Sequence, residues 1–477
     1  MTTELPRLTP HVSDWMTSLT DQPQVLDGLL ETYGSPVNIH HTGPFQANYA
    51  KYQAVFEAHG LDHLVCFARK ANKCSGFVAK ARDMGIGVDT ASYHELEECL
   101  SMGLNPEKLV LTAAIKNRKL IHLAVKAGVL IILDNEDECA LTQQVAEELH
   151  VTARIGLRIC GFEYEGEKLY SRFGFVVSRV ADFLKEHFGS SGIYNKLEYS
   201  GLHFHLNGYS TSQRGTALQQ SLQLAEHLTG LGFRTSFIDI GGGFLMNYLQ
   251  HKTEWEHFLK HLKKAVKGEA DPITFQNNGL GYEIVDGKLH GKLNTYPYFN
   301  EQSQDVFLEE ILSYESGGES NAQYARRLNI QMRMEPGRSL LDQTGMTVAK
   351  VAFRKKDMEG HWLVGLEMNM TQIYSSSADF LLDPFYLPLN TSSEAQPTEV
   401  YFTGAYCLER DVLLKRKIAL PQLPEIGDIV IFVNTAGYMM HFFETEAHMF
   451  RLATNLFYHK GDQAAELSDF AEDTTES

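Results

Sequence analysis

Short apolar or β-branched runs recur through the first two thirds of the chain, at 64–68, 85–88, 109–112, 129–133, 154–159, 202–206, 236–240 and 330–334. Between them, the stretches 93–102, 118–126, 136–149, 176–188 and 212–231 place apolar residues three and four positions apart, the spacing of one helix face. Ser92 with Glu95, Asn135 with Glu138 and Ser210 with Gln213 stand where side chains satisfy the free amides of a first helical turn. Eight such alternations over roughly 270 residues predict an α/β fold, a (β/α)8 barrel, whose active site would lie at the carboxyl ends of the strands. An open doubly wound sheet is the competing fold.

After Glu335 the pattern changes to strands without helices, at 346–353, 362–367, 398–403, 412–418 and 429–433, which reads as a separate β domain. The predicted division is a segment 1–40, a barrel over 41–340, a β domain over 341–460 and an acidic, frayed tail over 461–477. The interval 245–328, between strands seven and eight, is long for a connector. It holds an expected hairpin at 282–289 turning on Asp286 and Gly287. Tyr282, Tyr296, Tyr298 and Phe299 in it are candidates for a lid or a dimer surface, and a merely packed insertion is the alternative.

Composition narrows the chemistry. The chain has 477 residues with 42 Lys plus Arg against 60 Asp plus Glu, a net charge of -18, which disfavours nucleic acid as a partner. No apolar run approaches the ~20 residues of a membrane span, and the first residues lack the pattern of a secretory signal, so a cytoplasmic protein is expected. Six cysteines without a CxxC pair fit reduced thiols. Small-molecule chemistry is the class left.

A barrel would gather whatever follows each strand. Here that is Arg69-Lys70, Asp89, Arg158, His205, Gly241-Gly242-Gly243 and Glu335-Pro336-Gly337-Arg338. One well-placed histidine is too few for a catalytic metal. A lysine, two acids, a histidine and a glycine-rich anion cradle instead suit a phosphorylated aldehyde joined to the lysine. Singly, each has a bland reading as a solvated lysine, a core histidine or a tight turn; together they point to one pocket.

The segments Phe-Ala-Arg-Lys-Ala-Asn-Lys (67–73), Gly-Val-Asp-Thr-Ala-Ser-Tyr-His-Glu-Leu (87–96), Ser-Arg-Phe-Gly (171–174), Gly-Leu-His-Phe-His-Leu (201–206), Asp-Ile-Gly-Gly-Gly-Phe (239–244) and Glu-Pro-Gly-Arg-Ser (335–339) occur in that order. Gly-Ala-Tyr-Cys-Leu-Glu-Arg-Asp (404–411) and Asn-Thr-Ala-Gly-Tyr (434–438) follow. Over about residues 30–450 the chain resembles the pyridoxal-phosphate-dependent amino acid decarboxylases of the alanine-racemase-like fold, a group that includes ornithine and diaminopimelate decarboxylases.

The resemblance implies pyridoxal 5'-phosphate as cofactor, a barrel followed by a β domain to which the first forty residues contribute, and a head-to-tail homodimer with shared active sites. It implies Lys70 as the Schiff-base lysine, Asp89 as the acid beside it, His205 against the cofactor ring and Glu335 at the ring nitrogen. The amides of Gly241, Gly242, Gly243, Gly337 and Arg338, with the Tyr438 hydroxyl, would hold the phosphate. Arg158 and Arg172 would lie near the site without a definite role. Arg69 and Lys73 would help Lys70 shed its proton. Cys407, supplied by the partner chain, would reprotonate Cα, with Glu409 and Asp411 near an amino acid substrate. Leu408 stands where decarboxylases of basic amino acids carry an acid, which points to an unusual or modified substrate from secondary metabolism. Asn369, in the stretch 367–372, is another departure. Racemisation on the same cofactor and a non-catalytic cofactor carrier are the alternative readings.

Overall fold

A strand from the amino-terminal segment, β1 (Val37–His40), precedes eight strands that alternate with helices. They are β2 (His63–Ala68), β3 (Gly87–Thr90), β4 (Leu109–Leu111), β5 (Leu130–Leu133), β6 (Ala153–Cys160), β7 (Leu197–His203), β8 (Phe237–Asp239) and β9 (Gln331–Met334). All pair in parallel, and β9 returns to β2 while β7 pairs β6, so the sheet closes into a barrel. The computed structural model describes residues 5–188, 192–375, 380–389, 396–460 and 464–474.

Strand alternation sorts the barrel's side chains. Leu64, Cys66, Val110, Leu130, Ile132 and Phe237 form a small apolar cluster of their own, apart from the large core that takes in Val65, Phe67, Leu111, Ile131, Leu133 and Ile238. The small cluster is the barrel's inner filling, and the large one lies under the helices. Two residues beyond the inner set stand Thr112, Asp134 and Asp239, so the same inward face becomes polar at the carboxyl mouth. Ser92, Asn135 and Ser210 each accept the expected helix amide, from Glu95, Glu138 and Gln213.

Several boundaries differ from expectation. The sixth barrel strand runs Leu197–His203, earlier than 202–206, because Phe204 donates to Asp239 O and the chain then bends across the mouth. The interval 245–328 is only partly an insertion. Helices Gln304–Ser313 and Asn321–Arg327 complete the barrel's outer layer by burying Phe307, Leu308, Ile311 and Leu312. The hairpin forms as Tyr282–Val285 against Lys288–Gly291. Tyr296 and Tyr298 are core residues at 1% and 0% exposure, their hydroxyls accepting Met246 N–H and Leu381 N–H, so they are not a surface lid.

The second sheet contains β10 (Gly345–Lys356), β11 (Trp362–Leu366), β12 (Phe385–Leu387), β13 (Thr398–Thr403), β14 (Ile418–Leu420), β15 (Ile429–Val433), β16 (Thr454–Tyr458) and β17 (Phe470–Glu472). β1 lies between β10 and β16 in this sheet. Helices Asp14–Thr20 and Pro23–Tyr33 cover it, packing Trp15, Met16, Leu19, Leu26 and Leu29 on Val37, Ile39, Met346 and Ile431. The expected strand 412–418 does not form, and β14 begins only at its last residue: Leu413 N–H goes to Phe402 O but Lys417 N–H goes to Ile273 O, tying the segment to the insertion. Residues 464–474 are not a frayed tail: β17 pairs β16, and Asp473 accepts from Ser75 N–H at 2.9 Å and Gly76 N–H at 2.9 Å.

Candidate active site

Each barrel strand ends in a polar residue at the mouth: Lys70 after β2, Asp89 on β3, Thr112 after β4, Asp134 after β5, Arg158 on β6, His203 on β7, Asp239 on β8 and Glu335 after β9. Register puts His203 beside both Arg158 and Asp239.

Lys70 lies in a short 3-10 turn, its side chain 38% exposed, with Nζ 2.7 Å from Asp89 Oδ2. Thr112 Oγ1 donates to the other Asp89 oxygen. Burial disfavours the ammonium, but Asp89, Glu335 and Tyr438 outweigh it and raise the lysine's proton affinity. The expected cationic helpers are absent from this environment. Arg69 turns to Glu98 and to the Asn72 and Lys73 carbonyls, and Lys73 pairs with Glu444 at 2.8 Å. An acid, not a cation, is the immediate partner. Burial and the charge of Glu335 also raise the proton affinity of Asp89.

Glu335 is buried, and His203 Nε2 lies 3.1 Å from its Oε1. Burial alone would neutralise this carboxylate; His203 and Lys70 hold it ionised, below the ordinary range. Arg158 stacks on Phe173 at 4.2 Å, as does Arg172 at 3.8 Å, and Arg158 Nε is 4.0 Å from Asp134.

His205 packs against the glycine turn. Its Nδ1 accepts Gly242 N–H at 3.1 Å, and burial, Arg214 and Lys70 pull its pKa down to about 3, so the ring is neutral. Gly241 N–H is likewise taken, by Asp239 Oδ1 at 2.9 Å. The expectation that all three glycine amides receive an anion is therefore corrected: two are occupied from within. Those of Gly243 and Gly337 donate to no other described residue. No helix starts at this turn, so the cradle is a loop structure without a helix dipole. Close approach demands the glycines. A Cβ at Gly242 would stand 2.4 Å from Glu335 O, and one at Gly337 would stand 2.8 Å from the Tyr438 hydroxyl. Tyr438 itself is held at φ 72, a conformation unusual for a tyrosine, by Tyr438 N–H donating to Ala71 O just after Lys70.

The loop 404–411 is built differently. Cys407, Leu408, Glu409 and Arg410 are exposed between buried Tyr406 and Asp411. Asp411 was expected near substrate, but its carboxylate accepts Met370 N–H at 2.8 Å and Tyr406 N–H at 2.7 Å, so it holds the loop in shape. Glu409 faces grooves shared with Phe275 and Gln276, and no residue of 404–411 lines the cleft on which Lys70 opens. Asn369 is buried and caps the turn Met370–Gln372 through Thr371 N–H.

Sequence reading missed His203, Asp239, Thr112 and Asp134. The signal for the first two was the period of two: His203 precedes His205, and Asp239 precedes Gly241, by one full alternation.

This combination of a barrel mouth, a lysine-carboxylate pair and a glycine-rich turn suits a phosphorylated aldehyde. Residues 43–278 match the family model described as pyridoxal-dependent decarboxylase, pyridoxal binding domain. The chain is 28% identical over 424 residues to the uncharacterized protein y4yA of Sinorhizobium fredii, covering 87% of this chain and 86% of that one. It is 28% identical over 258 residues to the diaminopimelate decarboxylase of Pseudomonas aeruginosa, covering 53% of this chain and 62% of that enzyme. The crystal structure of diaminopimelate decarboxylase from M. jannaschi superposes with a TM-score of 0.68 at 17% identity, over 94% of this chain and 91% of that one. The chain belongs to the pyridoxal-dependent decarboxylase family, as a divergent member of its ornithine and diaminopimelate group, and its cofactor is pyridoxal 5'-phosphate.

Proposed function

We propose that this chain removes carbon dioxide from an α-amino acid, with Lys70 as the residue that joins the cofactor and Cys407 of the partner subunit returning a proton to Cα. The observation that carries the reading is Lys70 Nζ at 2.7 Å from Asp89, inside a mouth that also holds Glu335 and amides free to bind an anion. Bound pyridoxal phosphate supplies an electron sink for the pair that departing carbon dioxide leaves on Cα.

The chain's own groups do the rest. Lys70 must lose a proton before it is a nucleophile; Asp89, at hydrogen-bond distance, orients its nitrogen and favours the ammonium, so the proton leaves as that ion pair is broken. Glu335, held anionic by His203, stabilises a proton on the ring nitrogen. The neutral His205 ring offers an uncharged face beside the cradle. Tyr438 and the amides of Gly243 and Gly337 bind the phosphate. The exposed Cys407 serves another copy, since no residue of its loop lines the Lys70 cleft; a homodimer completes the site.

Leu408, 44% exposed, offers no charge to a distal ammonium, so the substrate is an amino acid whose far end is not a free amine, as in a modified intermediate of secondary metabolism. The test is to incubate the holoenzyme with a panel of amino acids, measure carbon dioxide and identify the product by mass. Robust turnover of ornithine, lysine or diaminopimelate would remove the substrate argument; solvent proton exchange at Cα without carbon dioxide would replace the reaction itself.

A further inference from the structure

Arg214, in the helix Thr211–Gly230, is 1% exposed and meets no carboxylate among the described residues. Its guanidinium donates to three carbonyls from two loops: Gly242 O at 2.8 Å, Leu206 O at 2.9 Å and Gly208 O at 3.1 Å. Its Nε has no hydrogen-bond partner among the described residues. A buried cation with only neutral acceptors is costly unless an anion balances it. Burial pulls its pKa down to about 10, which leaves it charged at neutral pH.

The three carbonyls say where that anion would be. In a planar trans peptide the C=O and the following N–H point to opposite sides. Gathering the carbonyls of Leu206, Gly208 and Gly242 on one side therefore turns the N–H groups of Asn207, Tyr209 and Gly243 to the other. None of those three amides donates to another described residue. Gly243 also lacks the Cβ that would stand 2.6 Å from an Arg214 nitrogen, so the arginine seats directly under the turn.

We propose that Arg214 is the positioning residue behind the phosphate cradle, turning the amides of Asn207, Tyr209 and Gly243 toward the cofactor's phosphate and supplying the buried countercharge. The inference rests on the pyridoxal-phosphate reading and adds to it a residue that lies outside every motif of the chain's family resemblance.

The test compares pyridoxal 5'-phosphate with pyridoxal, which lacks the phosphate, by titrating each into the full-length protein after cofactor removal and following the visible band. Arg214→Met should weaken pyridoxal phosphate about tenfold or more, the scale of a lost hydrogen bond to a charged group, and pyridoxal less than about twofold. Arg214→Lys, which keeps the charge but replaces the planar fork that spans two loops with a single compact donor, should fall between. Equal losses on both ligands, or none on the phosphate, overturn the inference. If the Met variant does not fold, the Lys variant decides, an unchanged ratio of the two affinities being the negative result. A wild-type chain that takes up neither ligand overturns the cofactor reading beneath it, and with it this one.

Discussion

The barrel mouth and the loop 404–411 are both sites of chemistry by residue type, yet they are built in opposite ways. At the mouth, eight strands deliver polar groups into one enclosure, where carboxylates, imidazoles and Lys70 satisfy one another. In the loop, reactive side chains point outward from Cys407 to Arg410 while Asp411 turns inward to brace the backbone. The mouth is complete as a binding site but holds no proton donor for Cα beyond its own ion pairs. The loop displays an exposed thiol with no hydrogen-bond partner among the described residues. On the reading proposed above, the two are parts of one site assembled between copies.

The largest effect should come from Lys70→Ala. It removes covalent attachment of the cofactor, and turnover should fall by at least about 10³-fold while the phosphate cradle still binds the cofactor weakly. The check is the visible spectrum after borohydride reduction: a covalent adduct persisting in the variant would show that another amine holds the aldehyde.

Cys407→Ala should keep the cofactor's colour and affinity but lose roughly 10²-fold or more in amine formation, the range of a proton-transfer group. Mixing the Lys70→Ala and Cys407→Ala proteins after reversible dissociation sharpens the contrast. If sites are shared, half the dimers are mixed, each has one intact site, and activity should recover to about a quarter of wild type. No recovery in a mixture shown to exchange subunits would place both residues in one chain's site.

How much of this was legible in the sequence follows the same division. Barrel strands and caps were readable because apolar spacing and side chains such as Ser92 and Asn135 act locally. Lys70, Asp89 and Glu335 were readable because a barrel fixes where strand ends go. The inner polar layer was harder, since His203 and Asp239 look like ordinary strand residues until β7, β8 and β9 are set side by side. Arg214 was invisible: its partners are carbonyls of distant loops, and no side-chain pattern marks them. Asp411 was misread for a related reason. Beside Cys407 in sequence, it is turned the other way by the amides it accepts.

Asp411→Ala tests that bracing role with a smaller effect. Two amides, of Met370 and Tyr406, lose their acceptor, a local cost of about 1–3 kcal/mol. The loop should loosen and kcat should drop severalfold, with cofactor affinity unchanged because the mouth is untouched. Asp411→Asn should recover part of the loss. A variant with weakened cofactor binding and normal kcat would put Asp411 on the other side of the comparison.

The smallest effect concerns the joint between the two regions. Asp342 lies where the chain leaves the barrel for β10; it is buried, its Oδ1 has no partner among the described residues, and its Oδ2 receives only long contacts, from Gln343 at 3.3 Å and Gln304 at 3.5 Å. Burial raises its pKa to about 6, above the ordinary 3.8. A carboxyl that binds its proton more tightly when folded favours the native state fully below 3.8, and that contribution is lost as pH rises through about 6. Asp342→Asn keeps the neutral form at every pH. Its stability relative to wild type should therefore be near zero at pH 4 and a gain of about 1 kcal/mol at pH 7.5, less than the full shift because the hydrogen bonds readjust. Urea midpoints at the two pH values measure this difference. A gain that is the same at both, or larger in acid, would mean that ionised Asp342 is not what strains the joint.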